Sequence, residues 1–242
     1  MFIESNSRSV VKAVSWRIFG TIVSVVVVYI FFNRLDLAIA AGVVEGLAKT
    51  YLFYLHERIW NRIKFGKKKI EPFVLWFTGI PLAGKTSIAD LVYAELEKIG
   101  ILVERLDSKD IRDLIPEIGF TRDERNTHLK RVGHLIKTLQ QNSISVVASF
   151  VSPYLESRKY VESMTHNYIE IYVKCGIEVC KNRDVELKYE RAVSGELPNF
   201  TGVSDVYEEP LEPTLVLDSD NQSIEDMAKI VISYIKQHHI KF

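Results

Sequence analysis

Only two cysteines occur in the 242 residues, Cys175 and Cys180. Their C-x4-C spacing has no histidine or cysteine partner nearby, which argues against a metal site and suits a reducing compartment. Net charge is missing too, because 31 Lys/Arg balance 31 Asp/Glu. That balance hides two unlike halves. Residues 1–69 hold 11 basic and 4 acidic side chains, whereas residues 70–242 hold 20 and 27. The acidic part excludes a general nucleic-acid binder. The basic part asks for another anion, and a lipid surface supplies one. Internal repeats and low-complexity tracts are absent, and the length suits one or two domains.

Two apolar runs stand near the start. Ile18–Phe32 carries no charge over 15 residues, and Leu37–Leu55 runs for 19 with Glu45 and Lys49 inside it. With Val14–Arg17 added, the first run reaches membrane-spanning length. No small-residue cleavage site follows it, so a transmembrane helical hairpin is expected rather than a signal peptide. Gly20, Ala40, Ala41, Gly42 and Gly46 would let its helices approach closely. Glu45 and Lys49 fall at i,i+4 and are expected to pair. Arg8, Lys12 and Arg17 precede the hairpin, and Arg58, Arg62, Lys64 and Lys67–Lys69 follow it. This distribution predicts both termini in the cytoplasm and residence in the inner membrane. Residues 1–69 are therefore read as a membrane domain, with Phe65–Pro72 as linker. Through "KAVSWRIFGT" and "YLHERIWNRI", this part resembles a small family of two-helix bacterial membrane domains of unknown function.

Residues 70–242 open differently. Phe73–Thr78 is an apolar run leading into "GIPLAGKTS", which fits G-x-x-x-x-G-K-[ST]. Helical spacing follows to Ile99, and the strand–loop–helix order makes this a nucleotide-phosphate loop. Gly79, Ile80, Pro81, Leu82, Ala83, Gly84, Lys85, Thr86 and Ser87 are the candidate phosphate-binding residues. Backbone N–H groups would face the phosphates, Lys85 the β- and γ-phosphates, and the Thr86 hydroxyl Mg²⁺. Further apolar runs at 101–106, 144–149, 168–173 and 214–217 alternate with helical patterns. The expected fold is α/β, a P-loop kinase-type parallel sheet covered by helices on both faces. Ligands in such sheets bind beyond the strands' carboxyl ends, which nominates Asp107, Phe150–Tyr154 and Asp218.

In order along the chain stand "WFTGIPLAGKTSIA", "GFTRDERNTHLKRVGHLIK", "SFVSPYLESR", "EVCKNRD" and "GELPNFTGVSDVYEEPLEPTLVLDS". Together they resemble adenylylsulfate kinase, a P-loop enzyme that phosphorylates the ribose 3′-hydroxyl of adenosine 5′-phosphosulfate. The resemblance implies ATP and Mg²⁺ as cofactors. It places Arg183 near the adenine of ATP, and Asp218, after the last strand, is a further cofactor-binding candidate. Phe200, with Thr201 and Gly202, falls in a lid over the acceptor, and Arg112 and Arg125 fall on the acceptor's anionic groups. Phe120, Phe150, His128 and Lys130 fall at further acceptor positions, and Ser152 where the family has a serine near the acceptor. Asp107, Asp110, Lys85 and Ser152 are the catalytic candidates, and Thr86 and Asp107 those for Mg²⁺.

The match breaks on one side. The family's L-D-G-D-N-V-R is here Leu106-Asp107-Ser108-Lys109-Asp110-Ile111-Arg112, with lysine in place of the second aspartate. His128 replaces an asparagine, while Lys130 and Leu155 replace arginines. The sequence thus favours a membrane-anchored adenylylsulfate-kinase-like enzyme. Two alternatives remain: a kinase of the same family for another nucleotide or activated-headgroup hydroxyl, and a non-catalytic nucleotide-binding scaffold. Expected partners are a nucleotide acceptor and the membrane, with a homodimer left open and nucleic acid excluded.

Overall fold

A computed structural model describes residues 2–4, 6–30, 35–63, 67–69, 71–114 and 119–239. The chain divides into two compact units, 2–69 and 70–241.

In the first unit, strand β1 (Phe2–Glu4) precedes helices α1 (Asn6–Ile30) and α2 (Leu35–Arg62), and β2 (Lys67–Lys69) pairs antiparallel with β1. A polar cluster joins the two helices. Lys12 meets Glu57 at 2.6 Å, and Ser15 Oγ lies 2.9 Å from His56 Nε2, to which the Trp60 indole N–H donates. Trp16 packs edge-on against Phe53.

The sequence had suggested membrane-spanning helices, and here the structure differs. Among the described residues no helix is long and apolar enough to cross a membrane. Gly20 and Gly46 also face open space rather than a neighbouring helix. The Glu45 side chain, those of Ala40 and Ala41, and Asn33 and Arg34 of the connecting turn lie outside the described residues.

The second unit is built on five parallel strands in the order β4-β5-β3-β6-β7. Chain order begins with β3 (Val74–Thr78), α3 (Lys85–Lys98), β4 (Val103–Asp107), α4 (Ser108–Leu114) and α5 (Arg122–Gln141). It continues with β5 (Ser145–Ser149), α6 (Leu155–Met164), β6 (Tyr168–Lys174), α7 (Ile177–Asn182), α8 (Lys188–Val193), β7 (Leu215–Asp218) and α9 (Ile224–His238).

Central β3 is buried throughout, which is why VLWFT reads as a continuous apolar run rather than an alternating one. Val74 and Trp76 turn to one face, where Leu129, Val132 and Ile136 of α5 and Val161 of α6 complete a core. Strand alternation sends Leu75 and Phe77 to the other face, the side of the mutually packed α3 and α9. Thr121 caps α5 in a reciprocal box with Glu124, so the start of that helix is fixed locally. Parallel strands carry all their carboxyl ends to one rim, and the site is assembled there.

Candidate active site

The phosphate loop leaves β3 through Gly79, whose φ is +152°. A Cβ there would sit 2.5 Å from the Val173 carbonyl oxygen, so only glycine fits. Leu82 and Gly84 also take positive φ, at 65° and 94°, and Gly84 is the N-cap of α3. The loop thereby wraps toward a helix N-terminus, the arrangement that favours anions. Lys85 is buried and its Nζ donates to Ile80 O at 2.7 Å. Burial lowers its pKa to about 8, with Cys180, Asp107 and Cys175 pulling the other way. An anionic group against it would favour the charged form.

Asp107 ends β4 and binds what surrounds it. Its Oδ2 accepts from Thr86 Oγ1 (2.8 Å) and Ser149 Oγ (2.6 Å), and its Oδ1 accepts from the Lys109 N–H (2.8 Å). Burial opposes its ionisation. The bonds from Ser149, Lys109 and Thr86, with Arg105 nearby, outweigh that and hold the carboxyl below its ordinary value. A hydroxyl that donates to a carboxylate still has lone pairs to offer. Thr86 and Asp107 thus form a hard oxygen pair of the kind that holds Mg²⁺ together with substrate phosphates. No group of three or more His, Cys, Asp or Glu side chains is gathered for a metal among the described residues.

Two clefts meet at this loop. The first, about 530 Å³, is lined by Leu82, Gly84–Ser87, Arg183, Ser219 and the start of α9. The second, about 670 Å³, is lined by Pro81, Leu82, Lys85, Thr86, Asp107–Lys109, Arg112, Asp113, Phe120, Ser149 and Val151. Leu82, Lys85 and Thr86 border both, so ligands in the two clefts would face each other across the lysine and threonine.

Arg183 is fixed by Ser219, donating Nη1 to its Oγ (2.8 Å) and Nη2 to its carbonyl (2.6 Å). Ser219 Oγ donates in turn to Ala83 O of the loop. Sequence reasoning missed Ser219 and chose its neighbour. The Asp218 carboxylate is spent on Asp220 N and Asn221 Nδ2 in the following turn. The only available signal was the serine's place one residue past β7.

The lid segment is pinned from two directions. Phe200 packs edge-on against Tyr189, whose hydroxyl donates to Pro81 O of the loop. Arg125 donates Nε to Phe120 O (2.8 Å) and Nη2 to Asn199 O (2.6 Å), with Asp205 at 3.8 Å. Its guanidinium thus fastens the lid to α5. Gly202 takes φ +90° and donates to Asp205 O, and Thr201 is buried beside it. Phe120 is half exposed beneath the guanidinium of Arg112, 4.3 Å from its ring centre.

Several nominated residues are not brought to the clefts. Asp110 turns outward to Arg105, which also binds Asp90. Ser152, at φ +40°, is buried, accepts from the Trp76 indole N–H and donates to Thr78 Oγ1. Phe150 stacks on Trp76 in the core. Lys130 lies over the Tyr160 ring, and Leu155 borders a separate cleft with Leu211.

His128 is buried beside Phe150, and neither ring nitrogen has a partner among the described residues. Burial, with Arg112 and Arg131 near, lowers its pKa to about 4. The unfolded state therefore binds the extra proton between about 6.5 and 4, so stability falls as pH drops through that window. The expected loss is about 3 kcal/mol. Urea midpoints of the wild type should decline across it, and those of His128→Asn should decline less. Equal slopes would remove His128 as the cause.

A phosphate loop after a central parallel strand, with two clefts meeting at its lysine, defines a P-loop phosphotransferase. Residues 71–218 match the sequence pattern of adenylylsulphate kinase, and residues 10–61 that of a predicted membrane protein family (DUF2061). A probable adenylyl-sulfate kinase of Pseudomonas aeruginosa is 41% identical over 66% of this chain and 75% of its own length. The adenylyl-sulfate kinase of Halothermothrix orenii is 40% identical over 67% and 89%. The Mycobacterium tuberculosis APS kinase CysC, solved in complex with AMPPNP and APS, superposes with a TM-score of 0.66 at 29% identity. That match covers 69% of this chain and 99% of the other. The chain belongs to the adenylylsulphate kinase family.

Proposed function

We propose that this enzyme transfers the γ-phosphoryl group of ATP to the 3′-hydroxyl of adenosine 5′-phosphosulfate. The observation that carries the reading is the meeting of two clefts at Lys85 and Thr86. ATP takes the cleft of Arg183 and Ser219, and the acceptor takes that of Arg112 and Phe120. Lys85 and the loop N–H groups hold the phosphates, and Arg112 offers a planar fork to an acceptor anion. Arg125 ties Asn199, next to Phe200, to α5. Thr86 and Asp107 would hold Mg²⁺, which when bound neutralises charge on the β- and γ-phosphate oxygens. The full-length protein should convert ATP and adenosine 5′-phosphosulfate to ADP and the 3′-phosphorylated product. ADP release unchanged by any nucleotide acceptor would overturn the reading. Lys109 in the acceptor cleft favours a second reading, a different nucleotide hydroxyl as acceptor, which a panel of nucleotides in the same assay would reveal.

We also propose that residues 1–69 hold the enzyme at the inner membrane with the kinase unit in the cytoplasm. The match to a predicted membrane protein family supports this, as does a row of exposed apolar side chains, Ile18, Ile22, Val26 and Ile30, along α1. The full chain should float with vesicles containing anionic lipid and survive a high-salt wash, since apolar burial is not screened. Recovery in the unbound fraction would refute the anchor.

A further inference from the structure

Lys109 opens α4 directly after β4. Its backbone N–H donates to Asp107 Oδ1, and Asp107 Oδ2 accepts the Thr86 hydroxyl. The residue is thus held two hydrogen bonds from the phosphate loop and lines the second cleft together with Pro81, Leu82 and Lys85. Other cations at that cleft are engaged: Lys85 donates to Ile80 O and Arg112 to Gly119 O. The Lys109 ammonium is exposed and makes no ion pair among the described residues. The acid beside it, Asp110, is drawn outward by Arg105, and no bridge forms to Asp113 one turn on.

An exposed cation without an ion pair among the described residues, lining the same cleft as Lys85 and Thr86, is suited to charge that develops there. In phosphoryl transfer that charge spreads over the three oxygens of the group in flight. The bond from phosphorus to the leaving diphosphate breaks, the bond to the acceptor oxygen forms, and the acceptor's proton passes to solvent. Lys85 approaches that group from the loop side.

Resting on the phosphotransfer reading above, we propose that Lys109 is a catalytic residue, its ammonium meeting the transferring phosphoryl from the α4 side. Lys109 exchanges no atom with the reactants.

The test compares Lys109→Met and Lys109→Arg with the wild type in the full chain. Three quantities are measured: acceptor-dependent transfer, slow ATP hydrolysis without acceptor, and affinity for ADP with and without aluminium fluoride. Lys109→Met should lower transfer and hydrolysis in parallel, about a hundredfold, with both KM values little changed. It should weaken ADP–aluminium fluoride binding but not ADP binding, and Lys109→Arg should keep most of each. Hydrolysis and analogue binding need no acceptor, so they report on Lys109 even where adenosine phosphosulfate is not used. Unchanged hydrolysis with a raised acceptor KM would make Lys109 an acceptor-binding group and overturn the proposal. So would three unchanged quantities.

Discussion

Lys85→Ala should reduce phosphoryl transfer by roughly three decades or more while leaving the fold in place. The two expectations rest on different features of one side chain. Transfer needs the ammonium because it lies at the border of both clefts, where the phosphate being moved must sit. The fold does not, because its ammonium has one hydrogen bond, to Ile80 O, and no ion pair among the described residues. Removing a buried cation whose pKa burial has already lowered to about 8 relieves a desolvation cost. The thermal midpoint of the variant should therefore stay within a few degrees of the wild type. The loop keeps its shape through Gly79 and Gly84, which the substitution does not touch. Turnover above a tenth of the wild-type value at saturating substrates would show that another group carries the charge.

Local features of the site could be read along the chain, and distant ones could not. The phosphate loop closes within nine residues, so its glycine spacing and the apolar run before it sufficed. Strands β3 and β5 are buried along their whole length, which makes them plain apolar runs. Asp107 followed from standing directly after the apolar run 101–106, at a strand's carboxyl end. Ser219, by contrast, reaches the loop across 136 residues, Tyr189 across 108, and Arg125 reaches the lid across 74. No spacing rule connects residues so far apart.

Asp110 and Ser152 were misplaced for another reason. Chain position brought each close to the site, but stronger partners took them: Arg105 and Asp90 for the first, Trp76 and Thr78 for the second. The altered positions Lys130 and Leu155 look from sequence like losses in acceptor binding. In the fold Lys130 lies over Tyr160 and Leu155 borders a separate cleft, which leaves Lys109 as the change that lines the second cleft.

Asp107→Asn should cost transfer two to three decades and raise the Mg²⁺ concentration needed for half-maximal rate at least tenfold. The carboxylate accepts three hydrogen bonds, from Thr86, Ser149 and the Lys109 N–H, and an amide has one oxygen to answer them. Turning that oxygen to the two hydroxyls sets an NH₂ against the Lys109 N–H, donor against donor. Turning it to Lys109 leaves the hydroxyls without their anion. Either way a charge-assisted bond is lost, worth about 1.5–3 kcal/mol, so unlike Lys85→Ala this variant should also be less stable. The pH dependence separates the two effects. Because Asp107 ionises below its ordinary value in the fold, its stabilisation is complete above the unfolded-state value near 3.9 and fades as pH falls through the folded one. The stability gap between wild type and Asp107→Asn should therefore be constant from pH 5 to 8 and close in stronger acid. The gap in Mg²⁺ requirement should be present at neutral pH, where the wild-type carboxylate is fully charged. Wild-type turnover and Mg²⁺ requirement in the variant would mean that the metal is held without Asp107.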